Sequence, residues 1–436
     1  MSVSKRQIGL VTATALVLGN MIGSGVFLLP ATLAPYGGYS LAGWLISAIG
    51  ALLLASVFYR LARRAPRAGG PYAYSREAFG DCIGFLVAWM YWLGLVAGNA
   101  ALAVGAASYL SALAPAVGSH PLFGALAALA TIWIFTAINI AGVRGAGVVQ
   151  VVTTILKILP LLALAVFGFV HFNPHLLTPG PSAGSPWHAI SFSVAATLFA
   201  FLGVESASIP ASHVRNPERT IPRATLFGTA LAALVYIACT TAVMGLLPAS
   251  ELATSQAPFA DAGRLLWGGW AGWLIAGAAV VSSVGCLNGW TLIVGQFPQA
   301  VAKDGLFPRL FARESTRGTP APGLVIAAVI ASILVLTNYT HGMVAMFTFM
   351  LLLTTLTYVI AYLFSSMADI VLAYRSDTAA PWHHLAMACG AFAFSLWAAI
   401  GAGQDTVYWT FMLLIVGIPL YVWQTRHTQA SATTRR

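Results

Sequence analysis

Gly19-Asn20-Met21-Ile22-Gly23-Ser24-Gly25-Val26-Phe27 sits in the middle of the first long apolar segment, which runs from Ile8 to Pro30. Three glycines so close together are a poor way to build a straight helix, since each costs roughly 1 kcal/mol against alanine. In hydrocarbon the cost of freed backbone groups is higher, because lipid offers them no partner. Irregular backbone at membrane depth is tolerated where it faces protein or a polar cavity. One reading is therefore a broken membrane helix whose exposed N–H and C=O groups bind a solute. The other is close helix packing, because Gly19-x-x-x-Gly23 is also a small-xxx-small contact. The rest of the chain decides between them.

Composition places that segment in a membrane. Charged residues are 7% and apolar residues 59% of the 436, against about 25% charged in a soluble domain. Apolar runs of about 20 residues recur, the length needed to cross a bilayer core. The first run lacks an A-x-A cleavage site and is read as retained. Twelve spans can be marked: Ile8–Pro30, Leu41–Leu61, Cys82–Leu113, Pro121–Gly142, Val148–Val170, Pro186–Ser212, Ala224–Leu247, Gly269–Val301, Pro322–Leu336, Met343–Tyr374, His384–Gly401 and Asp405–Trp423. The connections are too short for a soluble domain. The expected fold is an all-α integral membrane protein of twelve transmembrane helices in one domain covering 1–436.

The net charge of +10 invites a nucleic-acid reading, but the placement of the basic residues argues against it. Of 21 lysines and arginines, 19 fall at the termini and in alternate connections, Arg60, Arg63, Arg64, Arg76, Arg375 and Lys303 among them. Only Arg264 falls on the opposite side, and Lys157 lies inside a span. The positive-inside rule then puts both termini in the cytoplasm. Cys82, Cys239, Cys286 and Cys389 are far apart and are expected as free thiols.

The two halves echo each other. Spans one and six are interrupted near the middle, at Gly23-Ser24-Gly25 and Gly203-Val204-Glu205-Ser206, and spans three and eight are unusually long. A unit of five helices brings these into register, with the second unit crossing in the opposite sense. The expectation is a five-plus-five inverted repeat (8–170 and 186–374, with two added helices over 384–423) and discontinuous helices 1 and 6. Paired broken helices in inverted repeats are the architecture in which transporters bind solute at the midplane. That correspondence favours the solute-binding reading of the opening stretch.

Two charges at depth stand out. Glu205 would cost roughly 2.5–3.5 kcal/mol to insert, so it should face the bundle with a partner. It is a candidate proton carrier or a structural acceptor at the second break. Lys157 lies too far from either span end to snorkel. Its ammonium could bond the carbonyls freed in span one, taking the place of a sodium ion, or relay a proton. Tyr91, Trp92, Phe199, Phe201 and Trp290 offer faces on which a cation could stack. Asn20 abuts the break, while Asn99 and Asn288 are polar at depth and could equally tie helices together. Nine histidines show no ligand spacing, and no Walker loop, H-E-x-x-H or nucleophile elbow is present. No catalytic residue, metal or cofactor is expected.

The stretch Gly19 to Pro30 resembles the first helix of the amino acid–polyamine–organocation superfamily, most closely its basic amino acid/polyamine antiporters of the arginine/agmatine-exchanging kind. The likeness continues through Gly69-Gly70-Pro71-Tyr72-Ala73-Tyr74, Tyr91-Trp92-Leu93 with Gly98-Asn99, Gly203 to Ser208, Asn216-Pro217-Glu218-Arg219, Gly289-Trp290-Thr291-Leu292 and Asp304-Gly305-Leu306-Phe307-Pro308. It implies that Ile22, Gly23, Ser24 and Gly25 hold a substrate α-carboxylate and amine, with Asn20 nearby. Asn99, Phe199, Leu202 and Trp290 would contact the substrate, Tyr91 and Trp290 would gate it, and Glu205 would be proton-linked.

Three features depart from the arginine exchangers. Phe199 stands where they carry tryptophan, Leu102 and Leu95 where they carry Met and Cys, and Lys157 resembles instead the span-five lysine of sodium-independent carriers of neutral amino acids. The implied function is exchange of an arginine-like amino acid for its agmatine-like amine across a bacterial inner membrane. The alternative is proton-coupled, sodium-independent uptake of neutral amino acids. Implied partners are the small solute, the lipid bilayer and a second copy in a homodimer, with no nucleic acid.

Overall fold

A computed structural model describes residues 9–64, 69–142, 146–205, 216–375 and 381–433. Every regular element among them is helical. Ten helices are long and apolar enough to cross a membrane, and the apolar segments Ala146–Val170 and Pro186–Phe201 complete a set of twelve. We number these spans one to twelve. The chain is an all-α, twelve-span membrane protein. Ser206, Ala207, Ser208, Arg67, Arg144 and Arg215 lie outside the described residues.

Span one is two helices, Leu10–Met21 and Ser24–Leu33. Ile22 and Gly23 between them are extended, at φ −79°, ψ 91° and φ −123°, ψ −150°. Span six runs as Pro186–Leu198, tightens into a 3₁₀ turn at Phe199–Phe201, and leaves helical geometry at Leu202. Pro186 starts it at the first helical position, with Ser185 Oγ accepting from the His188 amide, which satisfies one of the orphan donors there.

Burial separates inner from outer helices. About nine-tenths of the apolar windows of spans one and three are enclosed (94% and 89%), against 17% for span twelve. Residues of spans one, three, six, eight and ten line one central cavity. Span twelve (Gln404–Thr433) turns Tyr408, Trp409, Phe411, Val416 and Trp423 outward, a surface that suits lipid.

Two helices were not anticipated from the sequence, which left their residues in connections. Pro71–Phe79 precedes span three (Asp81–Leu113), and Pro258–Trp267 precedes span eight (Gly269–Lys303). Each is joined to its long span by one glycine, Gly80 and Gly268, both at φ 86°, ψ −177°. This left-handed region is open to glycine and costly for residues with a Cβ. The Gly80 amide donates to Arg76 O and the Gly268 amide to Arg264 O, at 2.8 and 2.9 Å. One turn later, Gly84 and Gly272 let Arg76 and Arg264 lie against the helix. The same elbow thus recurs between spans two and three and between spans seven and eight, on opposite faces of the membrane. Arg264, the exception to the charge asymmetry, is the counterpart of Arg76.

Candidate functional site

Helix ends leave four C=O and four N–H groups without partners in the helix. At the break of span one the carbonyl side is filled by side chains from other spans. Lys157 Nζ, buried in span five, donates to Gly19 O at 2.7 Å and Ile22 O at 2.6 Å. Ser282 Oγ reaches Ile22 O at 3.4 Å, and the Gly23 amide bonds Met21 O at 3.0 Å. Cys286 Sγ and Trp290 Nε1 both donate to Asn20 O, at 3.3 and 3.1 Å. By contrast, no side chain caps the start of Ser24–Leu33. The break therefore presents N–H donors while its acceptors are engaged, with an ammonium alongside. Such a helix start favours an anion.

Gly23 and Gly25 serve close approach. A Cβ on Gly23 would meet Leu102 Cδ2 at 2.7 Å and Cys286 Sγ at 2.9 Å, and one on Gly25 would meet the Phe199 ring at 3.0 Å. The helix break and close packing thus occur together in this stretch. Gly203 in span six combines both demands of its residue type, with φ +95° and Trp290 Cζ2 2.7 Å from the site of a Cβ.

A cavity of about 410 Å³ opens at this level, lined by Asn20, Met21, Gly23, Gly25, Leu95, Gly98, Asn99, Leu102, Phe199, Leu202, Cys286, Trp290, Thr354 and Tyr358. It gathers six of the sequence-derived substrate residues: Asn20, Gly23, Gly25, Asn99, Phe199 and Leu202, with Trp290 as a seventh that also stands in the gating role. Asn99 Oδ1 is buried and has no hydrogen-bond partner among the described residues. Ile22 and Ser24 are buried but outside the wall; Ser24 Oγ turns to Ala101 O at 3.5 Å. Asn288 is a helix tie, accepting from Asn139 Nδ2 at 2.9 Å. All four cysteines are unpaired.

Glu205 and Tyr91 sit behind the wall. Tyr91 OH donates to Glu205 Oε1 at 2.6 Å and Tyr362 OH to Oε2 at 2.9 Å. Charge-assisted hydroxyl bonds of this length are strong. Tyr358, which lines the cavity, packs its ring 4.6 Å from that of Tyr91. One aromatic layer thus joins cavity and carboxylate. Lys157 likewise lies behind the wall, acting through the backbone of span one.

Thr354 and Tyr358 of span ten, and Cys286 of span eight, were missed by sequence reading. The run Thr354-Thr355-x-Thr357 in an otherwise apolar span was the available signal for span ten. Cys286 carries none, since buried thiols are common in cores.

The model of the amino acid permease family matches residues 8–428. The cadaverine/lysine antiporter of Escherichia coli K12 is 38% identical over 331 residues, covering 75% of this chain and 73% of the relative. The putrescine transporter PotE of Haemophilus influenzae is 32% identical over 426 residues, covering 97% and 98%. PotE of Escherichia coli K12 is 32% identical over 420 residues, covering 95% of each. Fold, broken spans and comparisons agree that this chain belongs to the amino acid permease family and is a membrane transporter rather than an enzyme.

Proposed function

We propose that the protein exchanges a linear cationic amino acid for its decarboxylated amine. The observation that carries this reading is the polarity of the cavity. The span-one break offers donors and a nearby ammonium at one wall, and Asn99 Oδ1 offers an unfilled acceptor at another. A solute with a carboxylate at one end and N–H donors at the other satisfies both. Phe199 and Trp290 supply faces for the cationic part.

The arginine/agmatine pair implied by the sequence and the lysine/cadaverine pair in a relative's name share this logic and differ at the tip. A guanidinium is a planar fork that is best met by two acceptors, whereas an ammonium is a compact donor. One amide oxygen, with phenylalanine in the stacking position, favours the ammonium-tipped pair. Binding of the solute from alternate sides would be gated by Tyr91 and Trp290, with Glu205 as the proton-linked group and Lys157 holding the broken span in shape.

Proteoliposomes loaded with unlabelled cadaverine or agmatine and supplied with labelled lysine or arginine outside test the proposal. Lysine uptake that needs internal diamine is the expected result. Arginine–agmatine exchange alone would reassign the tip. Absence of exchange with both pairs would sink the antiporter reading. Lys157 also motivates a second reading, proton-coupled uptake of neutral amino acids, which requires alanine entry into empty vesicles under a pH gradient.

A further inference from the structure

A second polar cavity, sharing no residue with the first, lies where spans two, ten and eleven end together on the arginine-rich face. Its wall is Arg64, Asp369, Ile370, Ala373, Tyr374, His384 and Leu385, around a volume of about 310 Å³.

The charge here is unbalanced. Arg60 Nε and Nη2 both reach Asp369 Oδ2, at 2.7 and 2.6 Å, and Arg64 Nη1 donates to Oδ1 at 2.9 Å and to Asp369 O at 3.0 Å. One carboxylate therefore faces two guanidiniums, and Arg60 and Asp369 are both almost wholly buried. Arg64 uses only Nη1 in these bonds; its Nε and Nη2 have no partner among the described residues. His384 Nδ1 is also buried without a partner. Span eleven (Trp382–Gly401) begins at this cavity, and no side chain caps its start. A surplus positive charge, free N–H donors and a helix start all converge on one small hollow.

We propose that this cavity binds the phosphate of an anionic phospholipid headgroup. Part of its wall is apolar (Ile370, Ala373 and Leu385), and Trp382, two residues before His384, is 81% exposed. Aromatic side chains of that kind mark the headgroup level, and basic pockets between spans take acidic headgroups. A free phosphate would gain nothing from that apolar wall. The bound headgroup neutralises the Arg60–Asp369–Arg64 cluster and ties span eleven to spans two and ten.

Native mass spectrometry of the full protein, released from nanodiscs of phosphatidylglycerol and phosphatidylcholine, tests the proposal without reference to transport. One phosphatidylglycerol should stay bound preferentially. Arg64→Gln should weaken its retention about fivefold, the effect of one basic residue at a membrane surface. His384→Ala touches no ion pair and should also weaken it, which covers the case that Arg64→Gln unfolds. Arg63→Gln, whose guanidinium rests on Tyr59, should leave retention unchanged. Equal retention in wild type, Arg64→Gln and His384→Ala would overturn the proposal, as would inorganic phosphate displacing the lipid at low millimolar concentration.

Discussion

The breaks in spans one and six solve the same problem with opposite charges. In span one the freed carbonyls receive an ammonium, Lys157, together with donors from span eight. In span six the chain brings a carboxylate, Glu205, to the turn and two tyrosine hydroxyls hold it. The first charge is held by backbone carbonyls, the second by side chains of spans three and ten together with backbone groups of its own turn. A backbone lock fixes a shape, whereas hydroxyls can rotate away from a carboxylate that gains or loses a proton. Under the proposed function, Lys157 is the shape-holding charge and Glu205 the responsive one.

The sharpest way to break that comparison is Lys157→Ala. It leaves Gly19 O without its buried donor and weakens the hold on Ile22 O, at about 1–3 kcal/mol for each buried group left unpaired. Exchange in proteoliposomes should fall at least about tenfold, with a lower melting temperature, since about 1.4 kcal/mol is a factor of ten. Wild-type flux and stability would make the ammonium incidental. Glu205→Gln comes next. The amide keeps the size of the side chain, so melting should change little, while the pH dependence of exchange should flatten. A retained pH profile would strip Glu205 of its proton role.

Phe199→Leu probes the cavity between the two breaks. Losing a cation–π face should raise KM for cationic solutes about fivefold and spare neutral ones; equal losses for both would point to packing. The smallest effect belongs to an exposed charge. Hydrogen bonding from Lys303, 3.0 Å away, holds the Glu314 carboxyl below its ordinary range. Its contribution to stability is therefore present above that range and fades as the pH falls through it. Glu314→Gln should leave melting at pH 7 unchanged, because exposed pairs contribute little, and should slightly reduce acid sensitivity near about pH 4.

Much of this was legible in the sequence because the membrane simplifies the code. Apolar runs mark spans, basic residues mark sides, and a glycine cluster at depth is costly enough to need a reason. Glu205 and Lys157 stood out for the same reason. The short helices Pro71–Phe79 and Pro258–Trp267 did not, because they lie outside the apolar runs and depend on glycine elbows visible only as dihedral angles. Thr354 and Tyr358 were hidden differently: a threonine in a span usually bonds its own helix, as Thr354 does to Met350 O at 2.7 Å, so residue type alone does not reveal which face is wet. Ser24 shows the converse, a polar residue inside the motif whose hydroxyl points elsewhere.

The two elbowed helices have fastenings that cross between the halves of the molecule. Pro71–Phe79, from the first half, is pinned by Tyr72 OH to Asp304 at the end of span eight, at 3.0 Å, while Arg375 from span ten grips its last carbonyls. Pro258–Trp267, from the second half, is pinned by the Phe259 amide to Tyr109 OH of span three, at 3.2 Å. Each helix is joined by its glycine elbow to one long span and hydrogen-bonded to another, so the two long spans cannot shift past each other without straining both fastenings.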